Sequence, residues 1–496
     1  MRTGGGSPAT LCGMDSRAAS ARTLVLPLAM AQFIASYAAT NMNVAISEIA
    51  RDLGTTVVGL QTAITLFTLT MATLMIPGSK VTDRWGRKVC FVAGLVVYGA
   101  GALLAALAPG IGTMIVGYSL LQGVGSALLI PPIYILVTVA FPDVRTRARY
   151  FGVVSGAAGL GAAAGPLIGG LVTSTISWRA SFVLQVLVVL WIIYLTRRIH
   201  DPRPAGPPQR FDLLGAVLAG AGLFFIVLGF LSTSRFGWFS AREELTVAGT
   251  VVIPKGGLSP VWIMLVLGAL VLLWFFLHIR AVQRDGREPL LSPRLFGDRT
   301  ADLGLGTQLV QWLAMQGSFF VVSVYFQEVH GYTAIKTGLV LTPATLGILV
   351  ASAAAGRFAR RRAQRTLIIA GFLTTAAGLA LLLVLAQLTS GPLGASPGLL
   401  LVGFGVGVML TASVNVVQSS FPDSDQGDIS GLSRSVSNLG SSLGTALAGS
   451  ILVAVAYPKG KPFVLALVTM LGITLIGLGL AVLLPRERKP ASTTPA

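Results

Sequence analysis

Side chains able to do covalent or metal chemistry are few in this chain of 496 residues, and they are poorly placed for it. The two cysteines, Cys12 and Cys90, make neither a disulfide framework nor a thiolate cluster. The three histidines, His200, His278 and His330, lie far apart and show no ligand spacing. No His-Glu-x-x-His, Ser/His/Asp set or paired intramembrane carboxylates stands out, so no catalytic residue, metal or cofactor is expected. What recurs instead is amides and hydroxyls at helical spacing within apolar stretches: Gln308, Gln311, Trp312 and Gln316; Thr411, Asn415 and Gln418; Arg434, Asn438, Ser441 and Thr445. Each set falls near one helix face. Amides beside an aromatic can bind varied amphipathic solutes. The same groups can instead tie helices together, at about 1 kcal/mol per contact in a membrane. Asn41, Asn43, Gln122 and Gln185 admit the same two readings.

The elements that carry these residues follow from composition. The chain is 54% hydrophobic and 11% charged, with a mean hydropathy of +0.79. That excludes a soluble enzyme, a secreted module and a disordered regulator, because too little polar surface remains to cover such a core. Apolar stretches bounded by charge or Gly/Pro fall at about 24–49, 57–76, 89–107, 111–140, 150–173, 181–195, 213–231, 261–279, 303–326, 337–354, 367–388, 398–417, 429–456 and 464–484. An all-α polytopic membrane protein with fourteen transmembrane helices is expected, the first preceded by a retained tail rather than a cleaved signal. The segment 232–260 should hold an interfacial helix and a small hairpin around Thr246 to Pro254.

The net charge of +18 is read as topology rather than nucleic-acid binding. With the N-terminus cytoplasmic, external loops keep only Arg51, Arg179, Arg235, Arg242, Lys255, Lys336, Lys459 and Lys461. Basic clusters such as Lys80/Arg84/Arg87/Lys88 and Arg357/Arg360/Arg361/Arg362/Arg365 then fall inside. Both termini are expected in the cytoplasm.

Four motifs are more specific. The short loop after the second span reads Gly78-Ser79-Lys80-Val81-Thr82-Asp83-Arg84-Trp85-Gly86-Arg87-Lys88. Glycines there permit close helix approach, and the alternating charges can pair with helix ends. The fifth span carries Gly161-x-x-x-Gly165-Pro166-x-x-Gly169-Gly170, a small-residue groove with a bend. The fourth carries Gln122-Gly123-x-Gly125, and the first Asn43-Val44-Ala45. Together with fourteen spans, these resemble motif A, antiporter motif C, part of motif B and a first-helix motif of the major facilitator superfamily, in its 14-spanning drug:proton antiporter branch.

The resemblance implies two six-helix bundles around a central cavity plus an inserted pair: a tail at 1–23, a bundle at 24–200, a linker with helices 7 and 8 at 201–300, a second bundle at 301–484 and a tail at 485–496. Gly356 to Arg362 after the tenth span echo motif A, as a repeat would. The implied function is secondary active export of small amphipathic compounds by alternating access, in an inner (plasma) membrane, by a monomer. Gly78, Asp83, Arg84, Gly86, Arg87 and Lys88 would form the conformational switch, and Gly161, Gly165, Pro166, Gly169 and Gly170 the packing groove. Asn41, Asn43, Gln122, Gln185, Gln308, Gln311, Trp312, Gln316, Asn415, Gln418, Arg434 and Asn438 would line the cavity. Protons are the expected coupling ion where coupling exists. Yet Ala38 stands where the branch has an Asp, Ser119 where it has an Arg, and none of the 18 acidic residues falls clearly mid-span. A facilitator or importer of a neutral or anionic solute without proton exchange is the alternative. A transporter-like sensor would need an output domain that the short tails do not supply.

Overall fold

Lipid cannot hydrogen-bond a peptide group, so apolar stretches of this length satisfy their backbones as helices. The computed structural model describes residues 8–141, 144–197, 199, 211–247, 250–388, 392–421, 426–454 and 461–485. Its long helices are α1 (Pro8–Val44), α2 (Val57–Trp85), α3 (Arg87–Ala106), α4 (Ile111–Ala140), α5 (Val144–Thr175), α6 (Trp178–Thr196), α7 (Leu213–Phe236), α8 (Pro260–Arg284), α9 (Arg299–Val329), α10 (Ala334–Arg361), α11 (Gln364–Leu388), α12 (Pro392–Ser419), α13 (Gln426–Ala454) and α14 (Lys461–Leu483). Thirteen of them are long and apolar enough to cross a membrane among the described residues, not the expected fourteen. The exception is α13, whose apolar pattern is diluted by Ser430, Ser433, Arg434, Ser435, Ser437, Asn438, Ser441 and Ser442. It is enclosed by α9, α2 and α7 rather than by lipid, which is how a helix so polar is accommodated.

Helix starts are set by local chemistry. Thr56, Ser177, Ser259 and Asp298 cap α2, α6, α8 and α9 by accepting from backbone N–H groups of the first turn. Gly86 turns the chain between α2 and α3 at φ 96°, a conformation a side chain would oppose. The first helix departs most from its expected bounds. α1 begins at Pro8, and at the other end the chain bends at Ala45 into a two-turn helix, Ile46–Asp52. α4 contains a π-helical stretch, Ile115–Gln122, and α9 ends in another, Tyr325–Val329.

The packing repeats. α1 packs on α5 and α6, α2 on α4, and α3 on α4 and α6; eight helices on, α9 packs on α13 and α14, α10 on α12, and α11 on α12 and α14. The two sets meet along α2 with α13 and along α5 with α10. Shifting by eight exchanges these two interfaces, as a two-fold relation between repeats requires. α7 and α8 pair with each other, and α7 alone of the two packs extensively on the rest, against α2 and α13. α8 is the least enclosed of the thirteen spans, with Trp262, Ile263, Val266, Leu270, Leu273, Trp274 and Leu277 exposed along it.

Between α7 and α8 the strands β1 (Leu245–Val247) and β2 (Thr250–Ile253) form an antiparallel hairpin, closed by a bridge from Ser240 to Leu258. No separate interfacial helix precedes it among the described residues; α7 runs on to Phe236 and stops at Gly237, φ 75°. At the other end of the pair Asp212 gathers three elements. Its carboxylate accepts from Gly215 N (2.8 Å) at the start of α7, His278 Nε2 (2.9 Å) of α8 and Leu290 N (3.1 Å). Burial pushes this carboxyl up, but the bonds from His278, Gly215 and Leu290 outweigh it and hold it below the usual carboxylate range.

Candidate functional site

At the end where α2 turns into α3, two motif glycines have definite tasks. Gly86 supplies the turn, and a β-carbon on Gly78 would overlap the Ala127 carbonyl of α4. Lys88 donates to the carbonyl of Ile199 (2.6 Å) and more distantly to that of Arg197 (3.4 Å), satisfying acceptors just beyond α6. Arg84 is exposed and Arg87 half-buried. The Asp83 side chain lies outside the described residues, as do those of Arg357, Arg360 and Arg361 in the echo after α10. The contact with the opposite repeat is made by Lys80, whose ammonium lies 2.8 Å from Asp428 in the first turn of α13. Deeper along the same interface the Arg434 guanidinium bonds Tyr134 Oη of α4 and lies 5.2 Å from its ring centroid.

The α5 groove divides between two neighbours. β-carbons on Gly161, Gly165 and Gly169 would strike Phe33, Thr40 and Asn41 of α1, while Thr40 Oγ1 donates to the Ala162 carbonyl at 3.1 Å. Gly170 faces the Ala334 carbonyl of α10, and Gly338 of α10 abuts the Pro166 carbonyl. The second repeat answers with Gly440 and Gly444 of α13 against Leu309 and Leu313 of α9. On the α2–α13 side, Gln61 Nε2 donates to the carbonyls of Thr445 (3.2 Å) and Ala446 (3.1 Å).

The structure separates the polar residues expected to share a cavity. Gln122 and Gln185 are buried on each other (3.0 Å), with Tyr98 Oη 2.8 Å from Gln185 and 3.2 Å from the Ile34 carbonyl. An amide presents nitrogen or oxygen equally well in outline. In either orientation one polar end of each amide is left without a partner among the described residues, Gln122 Oε1 and Gln185 Nε2 as placed. This is an internal tie of the first repeat. Where the resembled branch has charges, Tyr118 Oη donates to the Ala38 carbonyl (3.2 Å) and Ser119 Oγ to that of Ala63 (2.7 Å). Phe67 stacks on Tyr118, which meets Phe182 edge to face, as Phe182 in turn meets Trp178.

Around α9 the arrangement differs. Gln308 Oε1 accepts from Ser433 Oγ of α13 (2.7 Å), and Gln311 Oε1 from Ser413 Oγ of α12 (3.0 Å). Gln308 Nε2, Gln311 Nε2 and Gln316 Oε1 are buried without a hydrogen-bond partner among the described residues. Asn41 and Asn43 each bury an unpartnered oxygen as well. Trp312, Asn415, Gln418 and Asn438 are half-buried, and Gln418 donates to Ser430 Oγ at 3.3 Å.

At the opposite end the repeats are joined again. Ser47 N donates to Gln327 Oε1 (3.1 Å), Ser47 Oγ to Glu328 (2.6 Å), and Gln327 Nε2 to the Asn43 carbonyl (3.1 Å), which also accepts from Ser323 Oγ. Beside them Arg179 bonds Asp52 and the Ala108 carbonyl, and Trp178 Nε1 lies 3.0 Å from Asp52. The Arg179 guanidinium holds the Asp52 carboxyl below its usual range, whereas burial raises that of Glu48. The motif reading passed over Gln61, Tyr134, Ser47, Gln327 and the Lys80–Asp428 pair. Gln61 alone carried a signal, an amide in an apolar helix; the rest show only in three dimensions.

Two packed helical repeats bridged by polar contacts at both ends define a transporter-type membrane protein. The sequence profile of the Major Facilitator Superfamily matches residues 28–445, and the chain belongs to that family. It is 31% identical to the puromycin resistance protein pur8 of Streptomyces alboniger over 86% of this chain and 81% of that one. It is 29% identical to the cephamycin export protein CmcT of Amycolatopsis lactamdurans (98% and 96%), and 26% to the multidrug transporter protein MdtP of Bacillus subtilis (87% and 76%).

Proposed function

We propose that the chain is a secondary active exporter of small amphipathic compounds, working by alternating access as a monomer in a bacterial-type inner membrane with both termini cytoplasmic. The observation that carries this is the pair of inter-repeat seals at opposite ends of the helices: Lys80–Asp428 with Arg434–Tyr134 at one, and Ser47 with Gln327 and Glu328 at the other. Both are small sets of partly exposed polar bonds, cheap to break one at a time. The glycine contacts of α5 with α10, and the Gln61 contact of α2 with α13, supply the surfaces on which the repeats rock. Asp83 and the loop around it act on the switching rate, not on solute binding. The names of the relatives, resistance and export proteins for antibiotics, support the exporter reading.

The test is uptake into inverted vesicles and proteoliposomes, beginning with puromycin and cephamycin, under an imposed pH gradient. Uphill movement that stops when the gradient is collapsed fits a proton-coupled exporter. The placement of the acidic residues at span ends favours a second reading, a uniporter without proton exchange. Solute flux with no accompanying change of internal pH would select it.

A further inference from the structure

Buried polar atoms without a partner among the described residues occur on several helices, and the largest group, Gln308 Nε2, Gln311 Nε2, Gln316 Oε1 and Ser318 Oγ, lies on α9, the most enclosed of the thirteen spans. Gln308, Gln311 and Gln316 are each at most 2% exposed, and each keeps one end of its carboxamide unpartnered. From Gln308 to Gln316 is a little over two turns, about 12 Å along the axis. Ser433 and Ser413 grip the other ends of Gln308 and Gln311, so the amide planes are held while half of each hydrogen-bonding capacity stays unspent. The charge inventory points the same way. The acidic residues of α9 are Asp302 in its first turn and Glu328 in its closing π turn, and the spans hold no carboxylate at mid-depth. Among the described residues the cations at the interface, Lys80 and Arg434, are engaged with Asp428 and Tyr134.

Resting on the transport reading above, we infer that the amide row Gln308–Gln311–Gln316 is the solute-recognition face. It selects uncharged amphipathic compounds that carry strong hydrogen-bond acceptors or donors such as carbonyl, phosphoryl or hydroxyl groups, and it rejects permanent organic cations. A cation at this depth finds no counter-charge, and burying an unpaired charge costs far more than burying a dipole. A carbonyl or hydroxyl, by contrast, satisfies amide atoms that are otherwise unpaired. In a low-dielectric interior that exchange is favourable on both sides.

The discriminating pair of probes is triphenylphosphine oxide, neutral with a strong acceptor, and tetraphenylphosphonium, a permanent cation of similar size. Equilibrium binding to the purified full chain and efflux from proteoliposomes are measured for both. The wild type should favour the phosphine oxide by at least tenfold in affinity. Gln311→Leu and Gln308→Leu should each weaken that binding about tenfold, while Gln311→Glu, nearly isosteric, should gain measurable phosphonium binding. Tighter wild-type binding of the phosphonium would overturn the solute class. Unchanged phosphine oxide affinity in Gln311→Glu and in whichever leucine variant keeps the wild-type melting temperature would overturn the site. Failure to bind or move either probe, or any uncharged member of a wider panel, would instead count against the transport reading itself.

Discussion

Lys80 and Asp428 are 21% and 23% exposed, so their ion pair is partly screened and contributes no more than about 1 kcal/mol. A bond of that size suits a seal that must open in every cycle. Lys80→Gln or Asp428→Asn should therefore change turnover several-fold while leaving equilibrium solute binding close to wild type. The exchange Lys80→Asp with Asp428→Lys should recover most of the rate; a double variant as slow as the singles would argue against the pair. Asp212 behaves differently because its carboxylate is 8% exposed and tied to three elements. Asp212→Ala loses a helix cap and two further bonds, and an N-cap alone is worth about 1 kcal/mol. Its folded-state pKa lies below the unfolded one, so the carboxylate stabilises fully at neutral pH and loses that effect as the pH falls through the carboxylate range. Melting temperatures of wild type and Asp212→Asn should accordingly differ at pH 7 and converge on acidification.

Among the elements, α5 shows why small residues recur every fourth position. Gly165→Ala places a methyl on Thr40 and Asn41 of α1, and over-packing of that kind costs about 1–3 kcal/mol. Gly156 on the same helix has nothing within 4 Å of where its β-carbon would stand, so Gly156→Ala should be silent. Detergent melting curves and transport of the two variants make the comparison; equal damage from both would mean the groove is not what holds α1 to α5. Much at this scale was legible beforehand. Hydropathy placed the spans, because lipid imposes a single solution on each apolar stretch. Only the stretch 429–456, which became α13, falls short of the apolarity of a lipid-facing span, since its neighbours replace lipid. Sequence periodicity put Gln122, Gln185 and the α9 amides on helix faces but could not say which helix each face meets. That depends on rotation about the axis and on bulges such as the π stretch ending at Gln122. Hence one set proved to tie the first repeat internally while the other reaches α12 and α13, and both keep unpartnered ends.

For the whole molecule, the repeated packing has a consequence for how the chain is made. Each set of six helices closes on itself, and the sets touch through non-covalent surfaces of α2 with α13 and α5 with α10. The peptide link between them runs through α7 and α8, of which only α7 packs extensively on the rest, along α2 and α13. Continuity of the polypeptide is then dispensable once both halves are in the bilayer. Two genes, one ending and the other starting between Asp201 and Arg210, should yield fragments that find each other. Co-expressed, they should co-purify on a tag carried by either one and restore solute efflux to a substantial fraction of the intact level. Two successive duplicated units, joined by a later strap, would be expected to tolerate such a cut; a bundle whose helices interleave would not.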